Sequence, residues 1–176
     1  LRTHRRLLFF MLLALFFCLP ACSESQPEPD WLNRDFAAVK QAGQGSTVRW
    51  AMYGGWNHVN TWVDSYLASE LKARYGLELI RVPMDASVFV NKLLNEKAAG
   101  QDEGSLDLLW INGENFQKAK EADLLYGPFA KKLPNFQNYV QAESVARDFG
   151  YPTQGFEAPW GRAYFVFEFD PRTVPE

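Results

Sequence analysis

The chain has 176 residues, is 47% hydrophobic and 15% aromatic, and carries a formal net charge of −3. That is apolar material for one core of ordinary size, and the negative balance excludes nucleic acid as a partner, since such a partner calls for a basic surface. Both cysteines, Cys18 and Cys22, fall within the first 22 residues, so the rest of the chain has neither a disulfide nor a thiol nucleophile.

The first segment reads as an export signal. Arg2, Arg5 and Arg6 precede an unbroken apolar run from Leu7 to Leu19, closed by Pro20, Ala21 and Cys22. The order is basic segment, apolar segment, small-residue cleavage site, and the run is shorter than the roughly 18–20 residues of a membrane span. Leu19 is too large for the third position before an ordinary cleavage. The quartet Leu19-Pro20-Ala21-Cys22 instead resembles a lipobox, which makes residues 1–21 a lipoprotein signal and Cys22 the lipid-bearing first residue of an exported, membrane-anchored periplasmic protein. Cleavage removes three basic residues and no acid, leaving 15 basic and 21 acidic side chains and a net charge of −6.

Residues 22–46 form a tether and a short helix. Ser23 to Pro29 is polar with two prolines, Trp31 to Val39 is a short helix, and the Gly-rich stretch Gln41 to Ser46 ends it. From 47 to 160, strands and helices alternate. Val48 to Tyr53 is an apolar strand running into Gly54-Gly55, and Asn57 caps a helix in which Val59, Trp62, Val63, Tyr66, Leu67, Leu71 and Tyr75 recur at spacings of three and four. Gly76 stops that helix. Leu77 to Val82 is the second strand. Asp85 or Ser87 caps a helix carrying Phe89, Val90, Leu93, Leu94 and Ala98. Leu106 to Ile111 is a nearly all-apolar strand, as for one buried on both faces. Asn112-Gly113 turns, and Asn115 to Leu125 is the third helix, with Asn115 as its cap. Gly127 to Phe156 is looser, and Tyr164 to Phe169 is a last strand. Three strand-helix units in succession predict a parallel sheet with helices on both faces.

In such a sheet, ligands lie beyond the carboxyl ends of the strands. The candidate binding residues there are Gly54, Gly55, Trp56 and Asn57 after the first strand, Asp85 after the second, and Asn112, Gly113, Glu114 and Asn115 after the third. Gly54-Gly55 admits a close backbone approach or is simply a tight turn; the helix starting near Asn57 suits an anionic group or is simply capped there. Trp56 and Trp160, beside glycines, are candidates for stacking on a ring or a cation, whereas Trp110 belongs to the core. Arg162 meets a carboxylate or phosphate on a ligand, or a surface acid. His58 is the one histidine left after export, so no Cys/His metal set is expected, no cofactor is called for, and no catalytic motif appears.

The lipid signal, the tether, the strand-Gly-Gly-helix, and the segments NKLLNEKAAGQDEGSLDLLWINGENF, LLYGPFAKKLPN and GFEAPWGRAYFVFEFD together resemble the solute-binding proteins of bacterial ABC importers, in the thiamine/polyamine/iron-type branch, close to a thiamine-like subgroup. The resemblance runs from about Val48 to Pro171. It implies the type II-like periplasmic binding fold, two α/β lobes closing on a small-molecule solute, with an ABC permease as partner, a monomeric receptor and no enzymatic activity. Residues 161–176 resemble the crossing toward a second lobe, so the chain is expected to be truncated before that lobe and to leave aromatic side chains near Trp56, Trp160 and Phe169 exposed. The same fold occurs in a secreted thiamine-degrading enzyme with a cysteine nucleophile, which this chain lacks. Two alternatives stand beside the receptor: an exported enzyme acting through carboxylates such as Asp85 or Glu114, and a non-functional truncated remnant.

Overall fold

The computed structural model describes residues 30–101, 103–161, 170, 172 and 173. Contacts divide the chain into two units, Leu1–Asp30 and Trp31–Glu176; apart from Asp30 the first lies outside the described residues, and with it the signal and Cys22. Arg162 and the strand expected at Tyr164 to Phe169 lie outside them as well.

Strand β1, Thr47–Met52, is the centre of a three-stranded parallel sheet ordered β2-β1-β3. It pairs with β2, Glu78–Pro83, from Thr47 against Glu78 to Met52 against Pro83, and with β3, Leu108–Leu109, at Trp50 against Leu108 and Ala51 against Leu109. The architecture is α/β, as the alternating periods predict. The third strand is shorter and less covered than expected. The Asp107 side chain takes the Arg49 N–H at 2.7 Å, so a carboxylate replaces a strand carbonyl at that rung, and regular pairing covers two residues. Leu108 stays exposed at the sheet edge, against the reading of a strand buried on both faces.

Alternation along β1 supplies both cores. Ala51 faces one side with Phe89, Val90 and Ala119, beneath α4 (Ala86–Ala98) and α5 (Gly113–Glu121). Trp50 and Met52 face the other with Val63, beneath α2 (Asn57–Trp62), a π turn over Val63–Leu67 and α3 (Ala68–Tyr75). Helices therefore cover both faces. Arg81 on β2 reaches the π turn, its Nε and Nη2 donating to the two Asp64 carboxylate oxygens at 2.8 and 2.7 Å, which holds the Asp64 carboxyl below its ordinary range. Gly76 ends α3, its N–H on Lys72 O and the Leu77 N–H on Leu71 O.

Three helix starts differ from the sequence expectations. The N-terminal helix is divided into a 3-10 turn, Trp31–Asn33, and α1, Phe36–Ala42, because Asp35 caps the second piece by accepting the Ala38 N–H at 2.7 Å. Trp56, not Asn57, holds the cap position of α2. Asn112, not Asn115, holds that of α5, which starts at Gly113 and ends at Glu121, with Asn115 inside its first turn. Asp85 does hold the cap position of α4, without a side-chain cap bond. The carbonyls just past the end of α5 are met by Lys97 from α4, whose ammonium donates to Ala122 O and Asp123 O at 2.9 and 3.0 Å.

The looser region has structure that periodicity did not announce. It contains a 3-10 turn at Ala130–Lys132, α6 at Pro134–Tyr139, a 3-10 turn at Ala142–Val145, and a hairpin of β4 (Arg147–Asp148) with antiparallel β5 (Tyr151–Pro152). Phe136 and Ala130 are buried there. Among the described residues no helix is long and apolar enough to cross a membrane.

Candidate functional site

Because the three strands are parallel, the segments Tyr53–Asn57, Met84–Asp85 and Trp110–Asn115 leave the sheet along one edge. The Gly54-Gly55 turn is held there by two contacts. Asn60, buried in α2, donates its side-chain N–H to the Gly54 carbonyl at 2.8 Å. A Cβ on Gly54 would lie 3.1 Å from Pro83 Cβ, so the turn packs against the end of β2 at a distance that only glycine allows comfortably.

Five indoles gather at this edge. Trp110, directly after β3, has its ring centre 6.3 Å from Trp56, 5.0 Å from Trp160 and 5.9 Å from Trp50, nearly parallel to the last. Trp160 also lies 5.6 Å from Trp50 and 5.8 Å from Trp62, and Trp62 meets Tyr66 at 5.8 Å. Trp50 is buried and Trp110 partly buried, as befits core residues; Trp56, Trp62, Tyr66 and Trp160 are 40–55% exposed. The expected exposure of Trp56 and Trp160 is therefore present, while Phe169 falls outside the described residues. Trp62 and Tyr66, which helical spacing assigns to the buried stripe, stand instead beside the open indoles. Tyr66 falls inside the π turn over Val63–Leu67, whose wider winding breaks the 3.6-residue phase, whereas Trp62 is the last residue of α2 before it.

The polar candidates are less convergent. Asp85 is exposed at the end of β2. Glu114 is 79% exposed and turns along its own helix toward Lys118, 3.7 Å away. Asn57 is an exposed first residue of α2, and His58 lies with its ring 6.4 Å from that of Trp56. Gly113 has φ +56°, in the left-handed region, and donates its N–H to the Asp148 carboxylate of the hairpin. The first amide of α5 is therefore engaged by the chain's own anion. Among the described residues no group of three or more His, Cys, Asp or Glu side chains is placed to hold a metal ion.

Sequence reasoning missed two residues that build this edge. Asn60 is a polar residue within the apolar stripe of α2, and a buried amide in such a stripe was the available signal that something required its hydrogen bond. Asp148 gave no signal, because its role depends on a two-residue hairpin whose ends carry no hydrophobic alternation.

The fold and this edge define an α/β lobe with aromatic side chains beyond the carboxyl ends of a parallel sheet. No protein-family model matches the chain, and no solved structure matches it. Protein YnjB of Escherichia coli (strain K12) is 41% identical to it over 136 residues, which make up 76% of this chain and 34% of that protein. The chain thus spans about a third of the length of the curated relative it matches.

Proposed function

We propose that this chain is the ligand-binding first lobe of an extracytoplasmic solute receptor of an ABC importer, a non-catalytic protein that captures a small molecule and delivers it to a membrane permease. One observation carries the reading: Trp56, Trp62 and Trp160 offer open indole faces around Trp110 at the carboxyl edge of the sheet. Exposed aromatic area of this kind marks a surface meant to be covered, and indole faces favour flat rings and cations. A solute with a cationic ring, such as thiamine, has the matching chemistry, with a second α/β lobe closing over it. The greater length of the curated relative is consistent with a second lobe. On this reading Cys22 carries the lipid that holds the receptor at a membrane.

The test is fluorescence titration of the chain, alone and joined to its second lobe, with thiamine, thiamine phosphates and spermidine. Saturable quenching that weakens at least tenfold in Trp56→Ala and Trp160→Ala is expected. A folded two-lobed protein giving no saturable change with any of these solutes would count against the reading. Mass spectrometry of the exported protein, with Cys22→Ser as control, tests the anchor: an unlipidated wild-type chain cut elsewhere would overturn it.

A further inference from the structure

Beside the hairpin lies a cavity of about 240 Å³, with no indole among its lining residues, whose walls include Phe136, Ala142, Val145 and Ala146 together with Glu157 and Lys131. Its frame is well tied. The Thr153 hydroxyl donates to Val145 O at 2.9 Å, the Thr153 N–H to Ala146 O at 3.0 Å, and the Phe129 and Ala130 N–H groups both to Gly155 O. A site held by such bonds loses little freedom when it is filled.

Glu157 is the unusual member. It is half-buried, and among the described residues no hydrogen bond or ion pair reaches its carboxyl. Three charges face it from the surrounding elements: Asp148 on β4, Lys120 on α5 and Lys131 on the 3-10 turn. Lys120 is committed elsewhere. Its ammonium donates to Pro152 O and Gln154 Oε1, both at 2.7 Å, and sits over the rings of Phe116, Tyr151 and Phe156 at 5.1–5.9 Å. Lys131 is exposed at the rim. Burial and the Asp148 carboxylate together push the Glu157 carboxyl up to about 7, with Lys120 opposing. A half-buried carboxyl beside a like charge and an apolar hollow lacks one thing, a cation that brings its own apolar group.

We propose that this cavity is a second binding site, for a primary amine bearing a compact apolar group, with the ammonium on Glu157 and the apolar group against Phe136 and Val145. The volume is sufficient, since cavities of about 150 Å³ accept benzene. Only the ionised carboxylate is a full partner for the ammonium, so affinity rises with pH through the neutral range.

Benzylamine, protonated at both pH values used, is titrated into the full chain at pH 6 and pH 8. Binding is followed by the amide NMR shifts of Thr153 and Gly155, with benzyl alcohol as the neutral analogue. The expected result is saturable shifts with benzylamine, about tenfold tighter at pH 8 because ionisation of a group near 7 changes about tenfold between these values. Glu157→Gln should lose at least tenfold and the pH dependence; Ala142→Leu, which fills the cavity, should abolish the shifts; Lys72→Ala, at an exposed position of α3, should change nothing. Thermal melts confirm that each variant is folded. Equal binding of the alcohol, unchanged affinity in Glu157→Gln, or no saturable shift at Thr153 and Gly155 would overturn the proposal, and none of these results bears on the indole edge.

Discussion

Asn60 allows a three-variant test of how the Gly54-Gly55 turn is held. Its Nδ2 donates to Gly54 O at 2.8 Å, while its buried Oδ1 has no hydrogen-bond partner among the described residues. Asn60→Ala removes one bond, worth about 1 kcal/mol, and opens a small void, so a loss of about 1–2 kcal/mol is expected. Asn60→Leu loses the same bond and, like Asn60→Ala, sheds the unpaired oxygen, but its larger side chain leaves no void, so the loss should stay within about 1 kcal/mol. Asn60→Asp replaces the donor with a carboxylate oxygen facing a carbonyl in a buried place, at a cost of about 3 kcal/mol or more. For a chain of this size that is a fall in Tm of roughly 6–12 °C. Urea and thermal unfolding followed by circular dichroism give the three values. Lowering the pH adds a second check. A protonated carboxyl in the Asn60→Asp variant can again donate to Gly54 O, so that variant should recover part of its loss in acid. The reasoning fails if the Asp variant is no less stable than the Ala variant at neutral pH, or if the Leu variant is the least stable of the three.

Phe89, fully buried between β1 and α5, should cost about 3–5 kcal/mol when changed to Ala, read from urea midpoints. Gly113→Ala forces a side chain into the left-handed region beside the Phe149 ring, and a loss of about 1–2 kcal/mol in the same assay is expected. Glu157 binds its proton more tightly when folded, at about 7 against an ordinary 4.5. Its effect on stability is therefore most favourable below 4.5, declines as pH rises to about 7 and is constant above; allowing for its half exposure the decline is about 1–2 kcal/mol, and Glu157→Gln should remove it from the stability-pH curve. Glu96 works in the opposite sense. Lys92 and Ser105 hold it down to about 2, so its stabilisation is complete above 4.5 and is lost as pH falls toward 2, a loss that Glu96→Gln should remove from the acid limb of the same curve.

The sheet was legible in the sequence because its signals are local. β1 and β2 are apolar runs bounded by glycine or proline, and the helix stripes between them repeat at the expected spacing, so order and direction followed. β3 was overread, because Leu106 to Ile111 is apolar enough for a longer buried strand while Asp107 spends its side chain on a β1 amide. Helix starts were misplaced by one to three residues at Asn57 and Asn115, where a good capping residue lies just inside a helix whose true cap position is held by Trp56 or Asn112. The edge of the sheet was identified by the crevice rule, but its composition was only half visible. Trp56 and Trp160 stood out beside glycines, whereas Trp62 and Tyr66 were hidden in a regular stripe that a π turn interrupts. The cavity at Glu157 was not legible, since it forms between segments with no periodic pattern.

The π turn has a consequence for chain length. The helical stretch from Asn57 to Tyr75 is fastened at one end by Asn60 to the Gly54 carbonyl and at the other by the Gly76 carbonyl, which accepts the Gly45 N–H; Asp64 is fixed between them by Arg81. Each residue of a regular helix turns the chain by about 100°, so removing one residue from Val63–Leu67 would leave either the indole-bearing half or the Gly76 half facing the wrong way. The number of residues between Trp56 and Gly76 is in this sense a dimension of the site, as a bond length is of a ring. Side chains along this stretch can be exchanged one at a time, whereas insertions and deletions cannot be absorbed without moving Trp62 relative to Trp160.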